Sequence, residues 1–397
     1  MRRGKSAGNL YVRIKNRIRQ KIIKPLYRNK ESRCGNGGLK AVHITYYKAR
    51  NLGDTVLSQC VRKTFGKLCG VTYFDIIAVD EPVTDDCIER INRADMLIIG
   101  GGGLFLADTN ENSVSGWQWA VSADKLKDIR VPVVIYSVGY NYFRGQSRSS
   151  LFEENFRLIA QKSEFMGLRN RGSCRVVGEI LNGEDKNVIF QPCTTTLIRK
   201  LYPELPGKKV TGKVAFNIAF DREELRFGDA KEIILAQIAR AAGEIEKRGY
   251  KIFYAAHCRE DLRFTEYLDR EGVRYKKENM SEWFPQRAVR FYNEMDCVLA
   301  MRGHAQMIPF GVNTEIISLG THEKLRWFLE DINAADWYIE LTEDPEHLSE
   351  KIVETFIRIH ETDAEKTRKR LLSAQNELWD ITVRNAERIK LITREKS

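Results

Sequence analysis

The chain has 397 residues, of which 43% are hydrophobic and 30% are charged, and its formal net charge is +11. A chain of this length can form two domains, each with its own hydrophobic core. The sequence contains no run of about 18 uncharged apolar residues, and it has no apolar segment near its start that is followed by a small-residue cleavage site. We therefore expect neither a transmembrane helix nor a secretory signal, and we expect a cytoplasmic protein.

The positive charge is concentrated in residues 1–30, which contain eleven Lys or Arg residues and no acidic residue. The rest of the chain holds equal numbers of basic and acidic residues, so the body is formally neutral. Leu10, Ile14, Ile18 and Ile22 recur every four residues among the cations. This combination favours an anionic membrane surface or a lipid-linked anionic substrate, with a disordered tail or a transit peptide as alternatives. Nucleic acid is not expected, because the body has no basic excess.

Eight cysteines are scattered along the chain, without a Cys-x-x-Cys pair or a neighbouring group of histidines. A zinc site is therefore not expected. Several of these cysteines lie in apolar runs, as in the segment at 296–300. Reduced, buried thiols of a cytoplasmic protein are the simplest interpretation.

Apolar runs and amphipathic patterns alternate along the chain after the basic tail. In the first half they predict a strand at 41–46, a helix at 55–65, strands at 73–79, 96–99 and 131–138, and helices at 152–162 and 172–181. In the second half they predict a strand at 214–220, a long helix at 230–247, strands at 250–256, 297–300 and 315–319, and amphipathic helices over 346–394. This alternation predicts parallel sheets with helices on both faces.

The predicted fold class is therefore α/β, with two domains that face each other across a ligand cleft. A break that contains three prolines, at residues 192–213, separates the two sets of strands. We expect a basic tail with a linker, a first domain, a second domain, and C-terminal helices that pack back on the body. The predicted boundaries of these four parts are 1–38, 39–205, 206–345 and 346–397.

A run of four glycines, Gly100 to Gly103, follows the apolar run at 96–99. In parallel α/β sheets ligands bind beyond the carboxyl ends of the strands, and glycines there leave backbone N–H groups open to an anion. The alternative is a tight turn that lets a helix pack on the sheet. The run does not fit the Gly-x-Gly-x-x-Gly dinucleotide fingerprint, and no Walker loop follows it.

Two further groups of polar residues follow predicted strands. Asn51, Gly53 and Asp54 lie between the first strand and its helix, where Asp54 is suited to line the cleft or to cap the helix. Arg302 and His304 directly follow the strand at 297–300. Arginine matches carboxylate and phosphate groups, and histidine exchanges protons near neutral pH. These features favour a functional role over that of ordinary core residues.

Four other polar residues have weaker signals. Lys324 follows the strand at 315–319, where it is suited to bind phosphate as a point charge. The alternative is an ordinary solvated helix residue. Arg169 and Arg171 lie at the start of a predicted helix, where the helix dipole disfavours cations, so we expect an anion nearby. Asp108 follows the glycine run and is suited to orient a sugar hydroxyl or to cap a loop.

Taken together and in this order, these segments resemble the polysaccharide pyruvyl transferase family. The likeness spans roughly residues 41–330, and its pieces are Asn51-x-Gly53-Asp54, 95–105 with Asp108, 133–139, Leu168-Arg169 with Ser173, 257–261, Arg302-x-His304 and Lys324. Two positions depart from the family pattern. Gly303 stands where leucine is usual between the arginine and the histidine, and Asn170 replaces the usual aspartate after Arg169.

The resemblance implies two Rossmann-like domains arranged like the glycosyltransferase-B fold. It also implies that the pyruvyl group of phosphoenolpyruvate is transferred to two hydroxyls of one sugar, which gives a cyclic ketal and phosphate. Phosphoenolpyruvate is then a co-substrate, and no metal or other cofactor is required. The implied acceptor is a glycan sugar, including lipid-linked oligosaccharides, which fits a peripheral location at the inner face of a membrane.

The resemblance also assigns roles to the residues named above. The anionic co-substrate would be bound by Arg169, Arg302, Lys324 and the backbone of Gly101, Gly102 and Gly103. His304 would be the general acid and base, with Asp108 as a second catalytic residue, and Asn51 and Asp54 would orient the acceptor.

Two alternatives stay open at this point. A nucleotide-sugar glycosyltransferase of the same architecture could use Arg302 and Lys324 on a diphosphate. The Glu-x7-Glu pair of such enzymes has no match, since Glu323 and Asp331 have the spacing but not the residue types. The second alternative is a non-catalytic glycan-assembly protein that keeps the fold.

Overall fold

The computed structural model describes residues 38–46, 51–106, 109–143, 146–183 and 187–394. Asp108 and the basic residues 1–30 lie outside these ranges, so the roles predicted for them stay predictions. The boundaries predicted between the four parts of the chain also stay predictions.

Within the described ranges, strands alternate with helices along the whole chain. The strands are β1 (Leu39–Thr45), β2 (Val71–Ala78), β3 (Met96–Phe105), β4 (Val133–Tyr140), β5 (Ser163–Leu168), β6 (Val188–Phe190), β7 (Lys213–Asn217), β8 (Lys251–Ala256), β9 (Tyr275–Asn279), β10 (Cys297–Ala300), β11 (Glu315–Gly320) and β12 (Tyr338–Glu340). The α-helices are α1 (Leu52–Thr64), α2 (Asp85–Asn92), α3 (Ala123–Asp128), α4 (Ser150–Lys162), α5 (Arg171–Ile180), α6 (Ile198–Leu201), α7 (Glu223–Phe227), α8 (Lys231–Lys247), α9 (Thr265–Arg270), α10 (Pro285–Asn293), α11 (His304–Gly311), α12 (Glu323–Asp331), α13 (Leu348–Phe356) and α14 (Ala364–Arg394).

The strands form two parallel six-stranded sheets, as the α/β prediction requires. The first has the order β2-β1-β3-β4-β5-β6, and the second has the order β12-β11-β10-β7-β8-β9. In each sheet the first strands of the chain are added on one side, and the later strands are added on the other. The points at which the strand order reverses therefore lie between β1 and β3 and between β7 and β10. Ligands of open α/β sheets bind beyond the carboxyl ends of the strands at such switch points. The predicted fold class is confirmed.

The central strands are apolar on both faces because helices cover both sides of each sheet. In β3, Met96, Leu97, Ile98 and Ile99 are fully buried, and every residue of β4 is buried. These continuous apolar runs explain why the sequence predicted both strands.

The strand β3 differs from its prediction, because it continues through the glycines instead of ending before them. Gly100 pairs with Tyr136 and Gly102 pairs with Val138 of β4, so the pairing between β3 and β4 continues through the glycine run. A Cβ atom at Gly100 would lie 2.1 Å from the carbonyl oxygen of Tyr136, which only glycine avoids. Gly100 and Gly102 also have φ angles of 143° and 105°. The glycines therefore allow β3 and β4 to pack closely, and they also lie at the carboxyl edge of the sheet.

The strand β5 was not predicted, because Ser163, Glu164 and Gly167 interrupt its apolar pattern. It is buried because β4 and β6 flank it on both sides. Its presence corrects the local context of Arg169. This arginine follows the carboxyl end of a strand and does not begin a helix, and α5 starts at Arg171.

The last helix, α14, packs against elements of both sheets. Gln375 donates a hydrogen bond to the carbonyl oxygen of Phe310 in α11, and Asn385 donates one to the carbonyl oxygen of Phe190 in β6, at 2.9 Å. Arg368 lies 3.3 Å from the carboxylate of Glu315 at the start of β11. The C-terminal helix thus ties the two sheets together.

Candidate functional site

A cavity of about 430 Å³ lies beyond the carboxyl ends of the strands of both sheets. Its lining residues follow β1, β3, β4 and β5 of the first sheet and β7, β8, β10 and β11 of the second. The charged and imidazole side chains in the lining are Asp54, Arg169, Asp221, Arg222, Arg226, His257, Glu260, Arg302, His304 and Lys324. This is the position that the two topological switch points predict for a ligand.

The first turn of α1 brings two predicted residues to the cavity. Asn51 caps the helix, and its side-chain oxygen accepts a hydrogen bond from the backbone N–H of Gly53 at 3.0 Å. Asp54 lies in the same turn, where the helix dipole favours a carboxylate. Burial nevertheless raises the pKa of Asp54 to about 6, although the positive charges of Arg169 and two other cations oppose the rise.

His304 begins α11 and lies against the first turn of α1. Its Nδ1 atom is 3.9 Å from Oδ1 of Asp54, and its Nε2 atom is 3.8 Å from Sγ of Cys193. A Cβ atom at Gly53 would lie 2.5 Å from both Cβ and Nδ1 of His304, so this contact requires glycine. Burial, together with the nearby charge of Arg169, holds the pKa of His304 well below its usual range. The imidazole is therefore neutral at pH 7 in the free protein.

Arg169 is buried, with 7% of its surface exposed. Its Nη2 atom donates a hydrogen bond to the side-chain oxygen of Asn141 at 2.9 Å, whereas Nε has no hydrogen-bond partner among the described residues. A Cβ atom at Gly139 would lie 2.1 Å from that Nε atom, so Gly139 makes room for the guanidinium. Burial lowers the pKa of Arg169, but a guanidinium stays charged. The site therefore holds a positive charge that is incompletely paired.

Lys324 lies in the first turn of α12. Its ammonium makes no hydrogen bond or salt bridge with any residue in the described ranges. Burial and the charges of Arg169 and Arg226 hold the pKa of Lys324 well below its usual range. A bound anion would relieve this electrostatic cost.

Arg302 lines the cavity, but carboxylates already engage much of its guanidinium. Nε and Nη2 donate to the two carboxylate oxygens of Asp261 at 2.7 and 2.6 Å, and Nη1 lies 3.0 Å from Oδ1 of Asp221. Asp221 also accepts hydrogen bonds from Arg222 and Arg226, both at 2.9 Å. Burial alone would raise the pKa of Asp221, but the positive charges of Arg226 and Arg302 hold it well below its usual range.

Of the three glycines whose backbone was predicted to bind the co-substrate, only one lies at the cavity. Gly103 lines the cavity, whereas Gly101 and Gly102 are buried behind it. A Cβ atom at Gly101 would contact the side chain of Leu57, and one at Gly102 would lie 3.8 Å from the Asp54 carboxylate. Of the predicted residues, the structure thus brings Asn51, Asp54, Gly103, Arg169, Arg302, His304 and Lys324 together in one cavity.

Sequence reasoning missed two cavity arginines that also follow strands, and it assigned no role to His257, which lies in the matching segment 257–261. Arg222 and Arg226 come after β7, and both guanidinium groups lie over the ring of Phe143, at 5.4 and 5.3 Å from its centroid. His257 follows β8; it is fully buried, and its Nε2 atom lies 2.6 Å from the hydroxyl of Tyr292. The strands before these residues were predicted, so their position at strand ends was an available signal.

The anion expected beside Arg171 is a carboxylate of the protein itself. The backbone N–H of Arg171 faces both carboxylate oxygens of Asp331, at 3.2 and 3.3 Å, and its guanidinium lies 3.7 Å from Oδ1. Burial raises the pKa of Asp331 to about 7. Asp331 is not part of the cavity lining, so it stabilises the start of α5 and does not act on a ligand there.

Among the described residues, no three His, Cys, Asp or Glu side chains are grouped so that they could hold a metal ion. None of the helices in the described ranges combines the length and the apolar composition that crossing a bilayer requires.

The model of the polysaccharide pyruvyl transferase family matches residues 51–323, which is most of the chain. The matched segment contains all of the predicted cavity residues except Lys324. The match confirms the resemblance drawn from the motifs. No curated protein matches the chain.

Solved structures share the fold at low sequence identity. A glycosyltransferase from Rickettsia africae is 10% identical with a TM-score of 0.56, and the alignment covers 91% of this chain and all of that one. A protein from Listeria monocytogenes that is assigned as a UDP-N-acetylglucosamine 2-epimerase is 12% identical with a TM-score of 0.51, and the alignment covers 85% of this chain and 91% of that one. These likenesses agree with two Rossmann-like domains, and they concern the fold alone.

Proposed function

Because the chain belongs to the polysaccharide pyruvyl transferase family, we propose that it transfers the pyruvyl group of phosphoenolpyruvate to two hydroxyls of a glycan sugar. The products are a cyclic ketal and inorganic phosphate. The observation that carries this proposal is the cavity, in which two incompletely paired cations, Arg169 and Lys324, lie beside a neutral imidazole, His304.

Phosphoenolpyruvate carries a carboxylate and a phosphate on one small carbon skeleton, so its binding site needs several cations at short range. Arg169 supplies the free Nε–H and the rigid fork of a guanidinium, and Lys324 supplies a compact ammonium. Gly103 adds backbone polar groups at the cavity wall. Arg302 contributes through those of its five N–H groups that Asp261 and Asp221 do not engage.

His304 enters the reaction as a base, because its imidazole is neutral in the free protein. It accepts the proton of the sugar hydroxyl that attacks C2 of the enol, while the π electrons of the enol take up a proton at C3. It then returns this proton to the phosphate as the bond between C2 and the phosphate oxygen breaks. The second hydroxyl of the sugar attacks C2 to close the ketal. Asn51 at the cavity wall orients the acceptor, and Asp108 remains a proposed catalytic residue.

We propose a glycan acceptor, including lipid-linked oligosaccharides, with residues 1–30 binding an anionic membrane surface. Each cation near such a surface contributes about 1 kcal/mol, so eleven cations can hold a protein there. Deletion of residues 1–30 is expected to reduce binding to vesicles that contain phosphatidylserine and to leave activity on a soluble acceptor unchanged. Equal vesicle binding by the full-length and truncated proteins would contradict the membrane proposal.

A panel of ligands tests the function against its two alternatives. Phosphoenolpyruvate is expected to raise the melting temperature of the protein, because a ligand stabilises the folded state to which it binds. Stabilisation by a nucleoside diphosphate instead would favour a nucleotide-sugar glycosyltransferase. Stabilisation by neither ligand would favour a non-catalytic glycan-assembly protein.

A further inference from the structure

Ketal formation requires a proton that His304 cannot supply at the start. The methylene carbon C3 of phosphoenolpyruvate must be protonated while the first hydroxyl attacks C2. Burial and the charge of Arg169 keep His304 neutral, so the imidazole can accept a proton but has none to donate in that step. A second group in the cavity has to carry this proton.

Asp54 is the carboxyl group closest to His304 in the cavity. Its Oδ1 atom lies 3.9 Å from Nδ1 of His304, and about a quarter of its side chain is exposed toward the cavity. The charged or titratable groups that face Asp54 come from several elements, namely Tyr46, Arg169, Cys258, Arg302, His304 and Lys324.

The balance of these charges depends on whether an anion is bound. In the free protein the cations among these groups favour the carboxylate form of Asp54, and burial favours the neutral acid. The phosphate and carboxylate of phosphoenolpyruvate would neutralise the cations and add negative charge. Ligand binding therefore shifts Asp54 toward its protonated form.

We propose, on the basis of the proposed function, that Asp54 protonates C3 of phosphoenolpyruvate and takes up its proton when this anion binds. Asp54 thereby becomes a catalytic residue, a role different from the orientation of the acceptor that the sequence predicted. The assignment follows from the position of Asp54 in the cavity beside His304 and among the cations that hold the anion.

The proton transfers balance over one turnover. The carboxyl proton of Asp54 passes to C3 as the π electrons of the enol form the C3–H bond, while the first hydroxyl bonds to C2 and its proton passes to His304. The bond between C2 and the phosphate oxygen breaks, and His304 returns its proton to the leaving phosphate. The second hydroxyl then bonds to C2, and its proton passes to the Asp54 carboxylate. Both residues end in the states in which they began.

Calorimetric titration with phosphoenolpyruvate at pH 7, in buffers of different protonation enthalpy, tests this proposal without turnover. The wild type is expected to take up more protons than Asp54→Asn, because ionisation of the ligand contributes to both proteins and Asp54 contributes only to the wild type. Asp54→Asn is also expected to bind phosphoenolpyruvate at least as tightly as the wild type, because it removes a negative charge from an anion site.

Two further variants make the test specific. Asp54→Glu keeps a carboxyl group and is expected to retain the proton uptake. Asp331→Asn is the matched control, because burial also raises the pKa of Asp331 to about 7, but this residue lies outside the cavity lining. Its proton uptake on binding is expected to equal that of the wild type. Circular dichroism spectra and melting temperatures establish that each variant is folded.

The outcomes separate this proposal from the proposed function. Equal proton uptake by the wild type and a folded Asp54→Asn variant would overturn the role of Asp54 while leaving phosphoenolpyruvate binding established. A wild type that does not bind phosphoenolpyruvate at all would overturn the proposed function and this role with it. Acceptor-dependent phosphate release in Asp54→Asn is expected to fall about 10²- to 10⁴-fold, the usual contribution of a general acid.

Discussion

Arg302 and Asp261 form a bidentate ion pair, in which Nε lies 2.7 Å from Oδ2 and Nη2 lies 2.6 Å from Oδ1. The Asp261 side chain is fully buried, and it also accepts a hydrogen bond from the backbone N–H of Cys258. This pair links the segment after β8 to the segment after β10. It therefore fixes the backbone that leads into His304, in addition to any contact of Arg302 with a substrate.

Substitution Asp261→Ala is expected to lower the free energy of unfolding by about 3–5 kcal/mol, because it leaves the largely buried guanidinium of Arg302 without its main partner. Urea denaturation followed by circular dichroism measures this change. The control is Asp344→Ala, which removes an exposed partner of His347 and is expected to change stability by less than about 1 kcal/mol. A loss for Asp261→Ala as small as that of the control would show that the pair is not structural.

Substitution Lys324→Met is expected to have opposite effects on stability and on ligand binding. At pH 7 it should raise the free energy of unfolding by about 1–3 kcal/mol, the range for burying a polar group that lacks a hydrogen-bond partner. It should also weaken phosphoenolpyruvate binding at least tenfold. Thermal unfolding and calorimetry measure the two quantities. Lys369→Met, at an exposed position of α14, is the control for both.

The stability difference caused by Lys324 should depend on pH. The pKa of Lys324 is lower in the folded protein than in the unfolded chain, so unfolding binds a proton between the two values. The penalty from Lys324 is therefore fully present below the lowered pKa and disappears as the pH approaches 10.5, the ordinary value for lysine. The unfolding free energies of the wild type and Lys324→Met should converge over this range. A difference that does not change with pH would contradict the buried charge.

Substitution Gly53→Ala is expected to reduce turnover at least tenfold, because the new Cβ atom would lie 2.5 Å from Cβ and Nδ1 of His304. The imidazole would have to move away from Asp54. Acceptor-dependent phosphate release measures the effect. Gly66→Ala is the matched control, because its Cβ atom would meet only the carbonyl oxygen of Val71 at 3.5 Å, an ordinary contact. Near-normal turnover of Gly53→Ala would mean that the position of His304 against α1 is unimportant.

Gly303 offers a test of cavity shape, because neither its backbone nor its packing requires glycine. Its φ and ψ angles are −54° and −46°, and a Cβ atom would meet only Leu325, at 3.9 Å. Gly303→Ala should keep activity and stabilise the protein by about 0.4–1 kcal/mol through the unfolded chain. Gly303→Leu should stay folded but raise the KM for a substrate, since its side chain enters the cavity that Gly303 lines. Unchanged KM values for Gly303→Leu would show that this space is not used.

The sequence predicted the strands with the longest apolar runs, and it missed β5, β6, β9 and β12, which are short or contain polar residues. The runs in β1, β3 and β10 are unmistakable, because helices cover both faces of these strands. The strand β9 contains Lys276, Lys277 and Glu278, since it lies at the edge of its sheet and can expose polar side chains. The strand β5 is hidden by its serine, glutamate and glycine, and this omission misplaced Arg169 at the start of a helix.

The part of the candidate site that lies at the carboxyl ends of strands was predictable from the sequence. Parallel strands place Asp54 and Arg169 at the carboxyl edge of the first sheet and His304 and Lys324 at that of the second, and the cavity contains all four. The partners of Arg302 were not predictable, because Asp221 and Asp261 reach it from loops after two other strands. The positions of these loops decide which cation keeps free N–H groups. No local sequence pattern predicts where the loops lie.

The most direct test of the central claim is to incubate the protein with phosphoenolpyruvate and a panel of glycan acceptors, and to measure phosphate release and product mass. We predict phosphate release that depends on the acceptor, and a product heavier than the acceptor by the mass of pyruvate less one water. His304→Asn should lose this activity about 10²- to 10⁴-fold while it stays folded. Phosphoenolpyruvate that is bound but never consumed with any acceptor, or ketal formation by a folded His304→Asn at the wild-type rate, would contradict the account.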